Sequence, residues 1–462
     1  MLMPLLIRFH SFALGLLTFL ALLPGTIRAE LPAPDAKAAI LTRIRVPEFA
    51  MRDFVISDYG AAPGGDCSDA IARAVAACHE AGGGRVVVPP GVWRTGAVHL
   101  KSNVNLHLAA GAILRFDSDP AKYLPVVLTR FEGIECMNFS PLIYAFGQEN
   151  VAVTGKGTLD GSANWETWWA WNDKSKGATK QTPARKRLDQ QGTDGTPVAE
   201  RIYGDGHFLR PNFIQPYRCK NVLIEGVTII NSPMWEIHPV LCTNVTVRGV
   251  NVRSLGTNND GCDPESCRDV LIEDCVFETG DDCIAIKSGR NNDGRRVGVA
   301  SENIVIRRCT MKDGHGGVTV GSEISGGVRN VFVEDCKMDS PNLERAFRFK
   351  SNAVRGGVIE DIFIRNVEIG RVAKAVLSVE FDYEEGANGP HKPVLRNVRI
   401  ENVTAKSAGR VSVITAFPGA VIEGVRLKDC TFRGVEAADL IKDATPPAQQ
   451  NVTIERAKKE KQ

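Results

Sequence analysis

The chain has 462 residues, 43% of them hydrophobic, with 56 Lys and Arg against 54 Asp and Glu. A formal charge of +2 leaves no basic excess for holding nucleic acid. Length alone suggests two or three domains, a prior that the repeat described below replaces with one solenoid growing by coils on a single core.

Residues 1–29 read as a secretory signal peptide: Arg8 and His10 near the start, an apolar run over 12–23, and Ala29 before a Pro-containing stretch. The run is shorter than a membrane span requires, so stable membrane insertion is not expected. Cleavage near Ala29 removes Arg8 and Arg28 and takes the formal charge from +2 to 0. Residues 30–462 are then read as one secreted or periplasmic domain. Its first part, 30–50, is a Pro-containing lead, and 54–59 reads as a strand. The stretch 68–80 has the pattern of an amphipathic helix: Ser68 is a fair N-cap, Ile71, Val75 and Cys78 share one face, and Gly82, Gly83 and Gly84 stop it. Strands are expected at 85–89, 104–108, 112–116 and 151–153.

Residues 162–210 form a polar, basic insert, yet it holds Trp165, Trp168, Trp169 and Trp171, four of the chain's six tryptophans. Such a cluster is either a hydrophobic tuck holding a long loop down or a wall that stacks on sugar rings, whose apolar faces suit an indole. Trp169 is the candidate sugar contact.

From residue 221 one pattern recurs: a small polar residue or glycine, then apolar residues at offsets +1, +3, +6 and +8. It begins at Asn221, Asn244, Asp269, Asn303, Asn330, Asp361, Asn397 and Gly424, with an imperfect ninth copy at Asn451. The steps between starts are 23, 25, 34, 27, 31, 36, 27 and 27 residues. Apolar pairs two apart mark strands with one buried face, and two such strands per roughly 20–30 residues mark a solenoid of strands. The expected fold is all-β, a right-handed single-stranded parallel β-helix, with the 68–80 helix capping its open N-terminal end. The uneven steps place insertions at a few turns, where a groove can form. The tail after about 455 is expected to fray.

Cys275, Cys309, Cys336 and Cys430 all fall on the interior +6 position and read as buried small residues. Export permits disulfides, and Cys67, Cys78, Cys262, Cys267 and Cys283 lie off that position, but spacing assigns no pair. No Cys/His metal pattern stands out.

The polar residues that depart from the repeat carry the chemistry. Asp260 is at +16 of the repeat starting at Asn244, Asp281 and Asp282 at +12 and +13 of the next, His315 at +12 of the one after, and Arg348 and Lys350 at +18 and +20 of the following one. Four successive coils thus bring ionisable groups to one turn, because neighbouring strands lie about 4.8 Å apart. Three carboxylates there repel, so some share protons or have raised pKa values. That is the condition for a general acid and a general base at one pH, as glycoside hydrolysis requires. Arg348 and Lys350 add fixed positive charge suited to an anionic sugar.

The segments NNDGCDP (258–264), GDDCIAIKSG (280–289), GHGG (314–317) and RFK (348–350) resemble, in order, the four signature segments of glycoside hydrolase family 28, the polygalacturonases and their relatives. The resemblance covers about 50–455. It implies inverting hydrolysis of α-1,4-linked galacturonic acid chains of pectin, with no metal or other cofactor. By that likeness Asp281 is the general acid, Asp260 and Asp282 hold and activate the water, His315 tunes the acid or orients the site, and Arg348 and Lys350 bind a galacturonate carboxylate. DYEEG (382–386) resembles a family segment whose tyrosine touches sugar, which makes Tyr383 a further candidate; Asn258 is expected to support the substrate or the aspartates. Two departures, Asn259 for the usual threonine and Phe349 for the usual isoleucine, spare the charged residues. Cys283 occupies a position bridged in some members, but no cysteine lies shortly before His315. The longer coil over 286–298 is similar to that of bacterial members that tend to cut from chain ends.

The expected partner is a pectic oligo- or polysaccharide, and a monomer is expected. Exo-action is favoured because the 162–210 insert and the 290–298 loop can close one end of the groove. Three rivals differ in chemistry: a relative acting on rhamnogalacturonan or substituted pectin, a pectate lyase using Ca²⁺ and leaving a double bond, and a glycan-binding β-helix without catalysis, which needs no aspartate cluster.

Overall fold

The computed structural model describes residues 33–176 and 179–458; the expected signal peptide lies outside the described residues. The fold follows from what each repeat residue must do. Its opening residue sits in left-handed backbone, at φ 60° for Asn303, 56° for Asn330, 58° for Asp361 and 54° for Asn397. Asn and Asp tolerate this conformation better than other residues with a side chain. Their amides also stack from coil to coil, Asn303 Nδ2 donating to Asp269 Oδ1 at 3.1 Å and Asn330 Nδ2 to Asn303 Oδ1 at 3.1 Å.

After this corner, the +1 and +3 residues point inward from one strand and the +6 and +8 residues from the next, as in Ser301–Arg307 followed by Thr310–Met311. The apolar set is buried in every copy from Asn221 to Gly424. Coils stack in parallel register, Ile304 opposite Val331 and Met311 opposite Met338. A third face carries Ile284–Ile286, Val318–Val320 and Arg345–Lys350, also in parallel register. The result is a right-handed parallel β-helix whose principal hydrophobic core runs from Ile56 to Val435. Each fully buried Val, Leu or Ile in it contributes about 1.5–3 kcal/mol.

Helix α1 (Ala33–Arg43) was not foreseen in the lead segment. It lies across the outside of the first face, where Ile40 packs on Leu271, Val305 and Phe332. These three are outward-facing residues at +2 of successive repeats, a place otherwise open to water. Lys37 and Arg43 pin the helix to Glu334 and Asp269 at 2.7 Å each. Helix α2 (Ser68–Glu80) covers the N-terminal end as expected, burying Ile71, Ala74, Val75 and Cys78. Cys67, not Ser68, is its N-cap; Asp66 Oδ1 accepts from the Ser68 N–H at 3.0 Å.

The insert holds helix α3 (Thr182–Asp194), which packs beside helix α4 (Asn291–Val297) and the antiparallel hairpin Val127–Phe131/Ile134–Asn138. Trp168 and Trp171 form a tuck, Trp168 buried edge-on against Tyr123 and Trp171, and Trp171 against Phe208, while Trp165 is exposed. All twelve cysteines are buried free thiols, so none of the conceivable disulfides is present. Cys219, Cys242 and Cys267 form a stack of their own, with the Cys219 and Cys242 N–H groups each 3.4 Å from the next thiol. The ninth copy lies on the strand Ala448–Arg456, paired to Val421–Val435; residues 459–462 of the tail lie outside the described residues. Among the described residues no helix is long and apolar enough to cross a membrane.

One surface row is regular. At +4 the facing residues run Glu225, Arg248, Glu273, Arg307, Glu334, Arg365, Glu401 and Lys428, alternating in sign. Within it Arg248–Glu225 and Arg307–Glu273 approach to 2.7 Å and Arg365–Glu334 to 2.6 Å.

The corner makes a separable demand on Asn330. Asn330→Gly keeps the left-handed backbone and loses only the side-chain hydrogen bond, costing about 1 kcal/mol. Asn330→Val should cost more, because a β-branched residue is strained there. Chemical denaturation should therefore rank wild type above Gly above Val; equal losses for Gly and Val would refute the strain argument.

Candidate active site

The corner before the third face collects the candidate residues because the backbone ladder runs through it. The Glu236 N–H bonds the Asp260 carbonyl, Gly261 that of Asp282, Cys283 that of Gly316 and Gly317 that of Arg345, at 2.8–3.0 Å. Five segments far apart in sequence are thereby fixed side by side. Gly316 leaves the space that the carboxylates occupy: a Cβ there would lie 2.9 Å from Asp282 Oδ1 and 2.2 Å from Thr319 Oγ1.

Asp260, Asp281 and Asp282 converge, one oxygen of each within 4.8 Å of the others. They differ in surroundings. Asp282 is fully buried; its Oδ1 accepts from Thr319 Oγ1 at 2.9 Å and its Oδ2 from Lys350 Nζ at 2.8 Å, with Arg348 Nη1 3.7 Å from Oδ1. Burial pushes its pKa up, but Lys350 and Arg348 outweigh burial and hold it below the usual carboxylate range. Asp260 is also buried, with Lys287 Nζ 3.5 Å from Oδ2. Burial, then Asp263 and Asp281, push its carboxyl well above the usual range. Asp281 is the more open of the three and lines the cleft; its Oδ1 meets His315 Nδ1 at 2.9 Å and the Asp282 N–H at 3.0 Å, and Oδ2 has no hydrogen-bond partner among the described residues. The hydrogen bond to Asp281 raises the His315 pKa against the effect of burial. The trio has oxygens enough for a cation, but Lys287, Lys350 and Arg348 already supply the countercharge.

Asp260, Asp281, His315 and the three cations line a cleft of about 530 Å³, whereas Asp282 is buried beside it. Among the described residues lining it, carboxylates and Lys or Arg are equal at seven each, so the charges of the lining balance. Arg348 and Lys350 stand on one extended segment as expected, but neither is free. Arg348 grips Glu380 through two contacts of 2.8 and 3.3 Å, and Lys350 holds Asp282. Tyr383 lies beneath both, its ring centre 5.7 Å from the guanidinium and 5.5 Å from the ammonium.

Asn258 lines the cleft and is tied to the insert, its Oδ1 accepting from Arg210 Nη2 at 2.7 Å and Asn172 Nδ2 at 3.3 Å. Asn259 is buried and takes over the turn: it accepts from Ser254 and the Gly256 N–H and donates to two carbonyls, Ser232 and Met234. Phe349 points into the core. Trp169 does not line the cleft. Its indole N–H bonds the Ser232 carbonyl at 2.8 Å and its ring lies on Gly256, where a Cβ would come within 2.2 Å. Trp235 supplies the aromatic surface instead, with Lys287 Nζ 4.2 Å from its ring centre and Glu323 3.3 Å from the same ammonium. Lys287 lies in the segment that also holds Asp281 and Asp282, two residues past Ala285 on the outward face; that alternation was the available signal.

The cleft lining includes Glu132 and Arg185, which belong to an ion-paired wall. Glu132, at the hairpin turn, binds Arg185 of α3 and Arg290 before α4, and Arg290 also holds Asp189 of α3 at 3.2 Å. Beneath, Arg201 and Asp293 pair at 2.6 Å, both buried.

The chain matches the family described as Glycosyl hydrolases family 28 over residues 203–451. It is 43% identical to a hyperthermoactive exopolygalacturonase of Thermotoga maritima, with a TM-score of 0.88 over 92% of this chain and 96% of that one. It is 26% identical to an exo-poly-alpha-D-galacturonosidase of Dickeya chrysanthemi over 86% of this chain and 67% of the relative. It is 27% identical to a probable polygalacturonase of Vitis vinifera over 76% and 67%.

The His315–Asp281 pair favours the imidazolium. It therefore adds stability below the ordinary histidine pKa of about 6.5 and gives it up as pH rises through the folded value. The His315 ring should titrate above 6.5 by NMR, and Asp281→Asn should bring it below, since burial remains. A midpoint unmoved by the substitution would show that the contact does not couple the two.

Proposed function

The chain belongs to glycosyl hydrolase family 28 and is a glycoside hydrolase; on that premise we propose that it cleaves α-1,4-linked galacturonic acid chains of pectin from an end, with inversion. The observation that carries this reading is the convergence of the three aspartates at a cleft whose lining also holds Arg348, Lys350 and Tyr383 and, from the ion-paired wall, Glu132 and Arg185. Arg348 and Lys350 favour an anionic sugar: a galacturonate carboxylate can join the array they form with Asp282 and Glu380, with Tyr383 as its apolar floor. The wall of Glu132, Arg185 and Arg290 favours exo-action, since a chain running past the aspartates would strike it.

In the proposed reaction Asp281 donates its proton through the open Oδ2 to the leaving oxygen, with His315 holding Oδ1. A water held by Asp260 and Asp282 attacks the anomeric carbon and loses its proton to that pair. The closest oxygens, within 4.8 Å, are nearer than the separation of about 6.5–9.5 Å usual for inversion. Inversion is favoured on another ground: Asp260 and Asp282 are 3% and 0% exposed, too recessed to bond a sugar carbon themselves but placed to aim a water. We also place the enzyme outside the cytoplasm, as a monomer with residues 30–462 as one catalytic unit, on the sequence reading given above.

Purified enzyme incubated with polygalacturonic acid should release mono- or digalacturonate alone at early times. The first product should carry the β-configuration at its new end by NMR. A ladder of mixed lengths would overturn exo-action, and an α-product would overturn inversion. Activity on rhamnogalacturonan alone would move the substrate to that polymer, and a product absorbing near the ultraviolet edge would mark a lyase.

Asp281→Asn should reduce turnover by a factor on the order of 100 to 10,000 while leaving binding of oligogalacturonate near wild type by calorimetry. Retained turnover would remove Asp281 from the acid role. Lys350→Ala should weaken oligogalacturonate binding more than binding of a neutral analogue; equal losses would remove the carboxylate role.

A further inference from the structure

The two recessed aspartates are not equivalent, and the difference assigns them separate work. Asp282 has both oxygens taken, Oδ1 by Thr319 at 2.9 Å and Oδ2 by Lys350 at 2.8 Å, with Arg348 at 3.7 Å. Asp260 is held more loosely. Its ion-pair partner, Lys287, stands 3.5 Å from Oδ2 and divides its charge with Glu323 at 3.3 Å. The ammonium is fixed between these carboxylates and the face of Trp235, 4.2 Å from the ring centre. At 2% exposure Lys287 has no freedom to follow a substrate.

We infer that Asp260, held by Lys287, is the carboxylate that takes the proton of the attacking water, while Asp282 is a fixed anion that orients that water. The inference rests on the hydrolytic reading above and goes beyond it in dividing the base from the orienting charge and in making Lys287 a positioning residue. The water oxygen bonds the anomeric carbon as one of its O–H bonds breaks, and that proton passes to Asp260. The carbon's bond to the leaving oxygen breaks, and the Asp281 proton passes to that oxygen. Asp282 gains nothing in this exchange, because protonating it would set Lys350 and Arg348 against a neutral group.

The charges around Asp260 agree. Asp263 faces it from its own segment, Asp281 and Asp282 from the next coil and Glu236 from the one before, and Lys287 is the opposing cation. Burial, Asp263 and Asp281 raise its affinity for a proton and Lys287 lowers it, while Asp282 is shifted the other way. A base works best when its pKa lies near the working pH; burial and the neighbouring carboxylates shift Asp260 upward, in that direction, and Lys287 opposes the shift.

The test compares pH profiles of turnover on oligogalacturonate for wild type, Lys287→Met, Lys287→Arg and Asp282→Asn. Losing the lysine charge should move the acid limb of kcat upward by about one pH unit or more, with KM within about threefold, and Lys287→Arg should return it. Asp282→Asn should lower kcat at every pH and, by removing a negative charge beside Asp260, move that limb downward, opposite to Lys287→Met. A uniform fall in Lys287→Met, a raised KM with kcat intact, or a limb that moves upward in Asp282→Asn would each overturn the assignment.

A second measurement needs no substrate. The carboxyl ¹³C resonance that disappears in Asp260→Asn should titrate above the ordinary carboxylate range in wild type and again in Lys287→Arg, a comparison that stands even if Lys287→Met does not fold. Titration in the ordinary range would refute the inference with the enzyme fully active. The expected titration in a protein that leaves oligogalacturonate intact would refute the substrate reading instead.

Discussion

A coil of this solenoid has no stability of its own. The N–H and C=O groups of each strand find their partners in the coil before and the coil after, and an unpaired buried amide is too costly to leave. Everything else answers to that requirement. The inward residues repeat because each coil must offer the next the same apolar surface. The left-handed corners fall on Asn and Asp because the turn must come at one place in every coil. The first coil, with no coil before it, is closed by α2.

The same requirement builds the cleft. Residues separated by twenty to forty positions in sequence become neighbours, so carboxylates that would scatter in another fold converge within 4.8 Å. Their repulsion is met by cations on the outward face of the next strands: Lys350 and Arg348 for Asp282, Lys287 for Asp260. Those cations are in turn balanced by Glu380 and Glu323. The cleft is thus a nearly neutral lattice in which the loss or gain of one proton changes the field felt by an incoming sugar acid. Side chains this buried are rigid before substrate arrives, which is what an electrostatic site needs.

Much of this was legible in the sequence, for a physical reason. Burial imposes the same demand on Val270 and Ile272 as on Ile362 and Ile364, so the fold is written many times over. The aspartates, His315 and Arg348 were visible as departures from that repetition. What escaped was whatever depends on contacts between distant coils. Leu271, Val305 and Phe332 look like stray surface residues until stacking aligns them under α1. Trp169 is as suited to stacking on a sugar as to packing, and only the presence of Gly256 opposite decides it. Lys287 stood beside the aspartates in the chain, but its hold on Asp260 crosses from one coil to another.

The row of alternating charge at +4 gives the stack a memory of order. Neighbouring coils present opposite signs, so a coil that skipped its partner and settled on the next would lay Glu273 on Glu225 or Arg307 on Arg248, and like charges directly opposed are destabilising. The apolar interior, nearly identical in every coil, cannot make that distinction. The row works as a parity check: single skips are penalised and double skips pass. A lineage could therefore lengthen this protein by duplicating coils in pairs without disturbing the pattern, whereas duplication of one coil would write a fault into the surface that later substitution would have to erase.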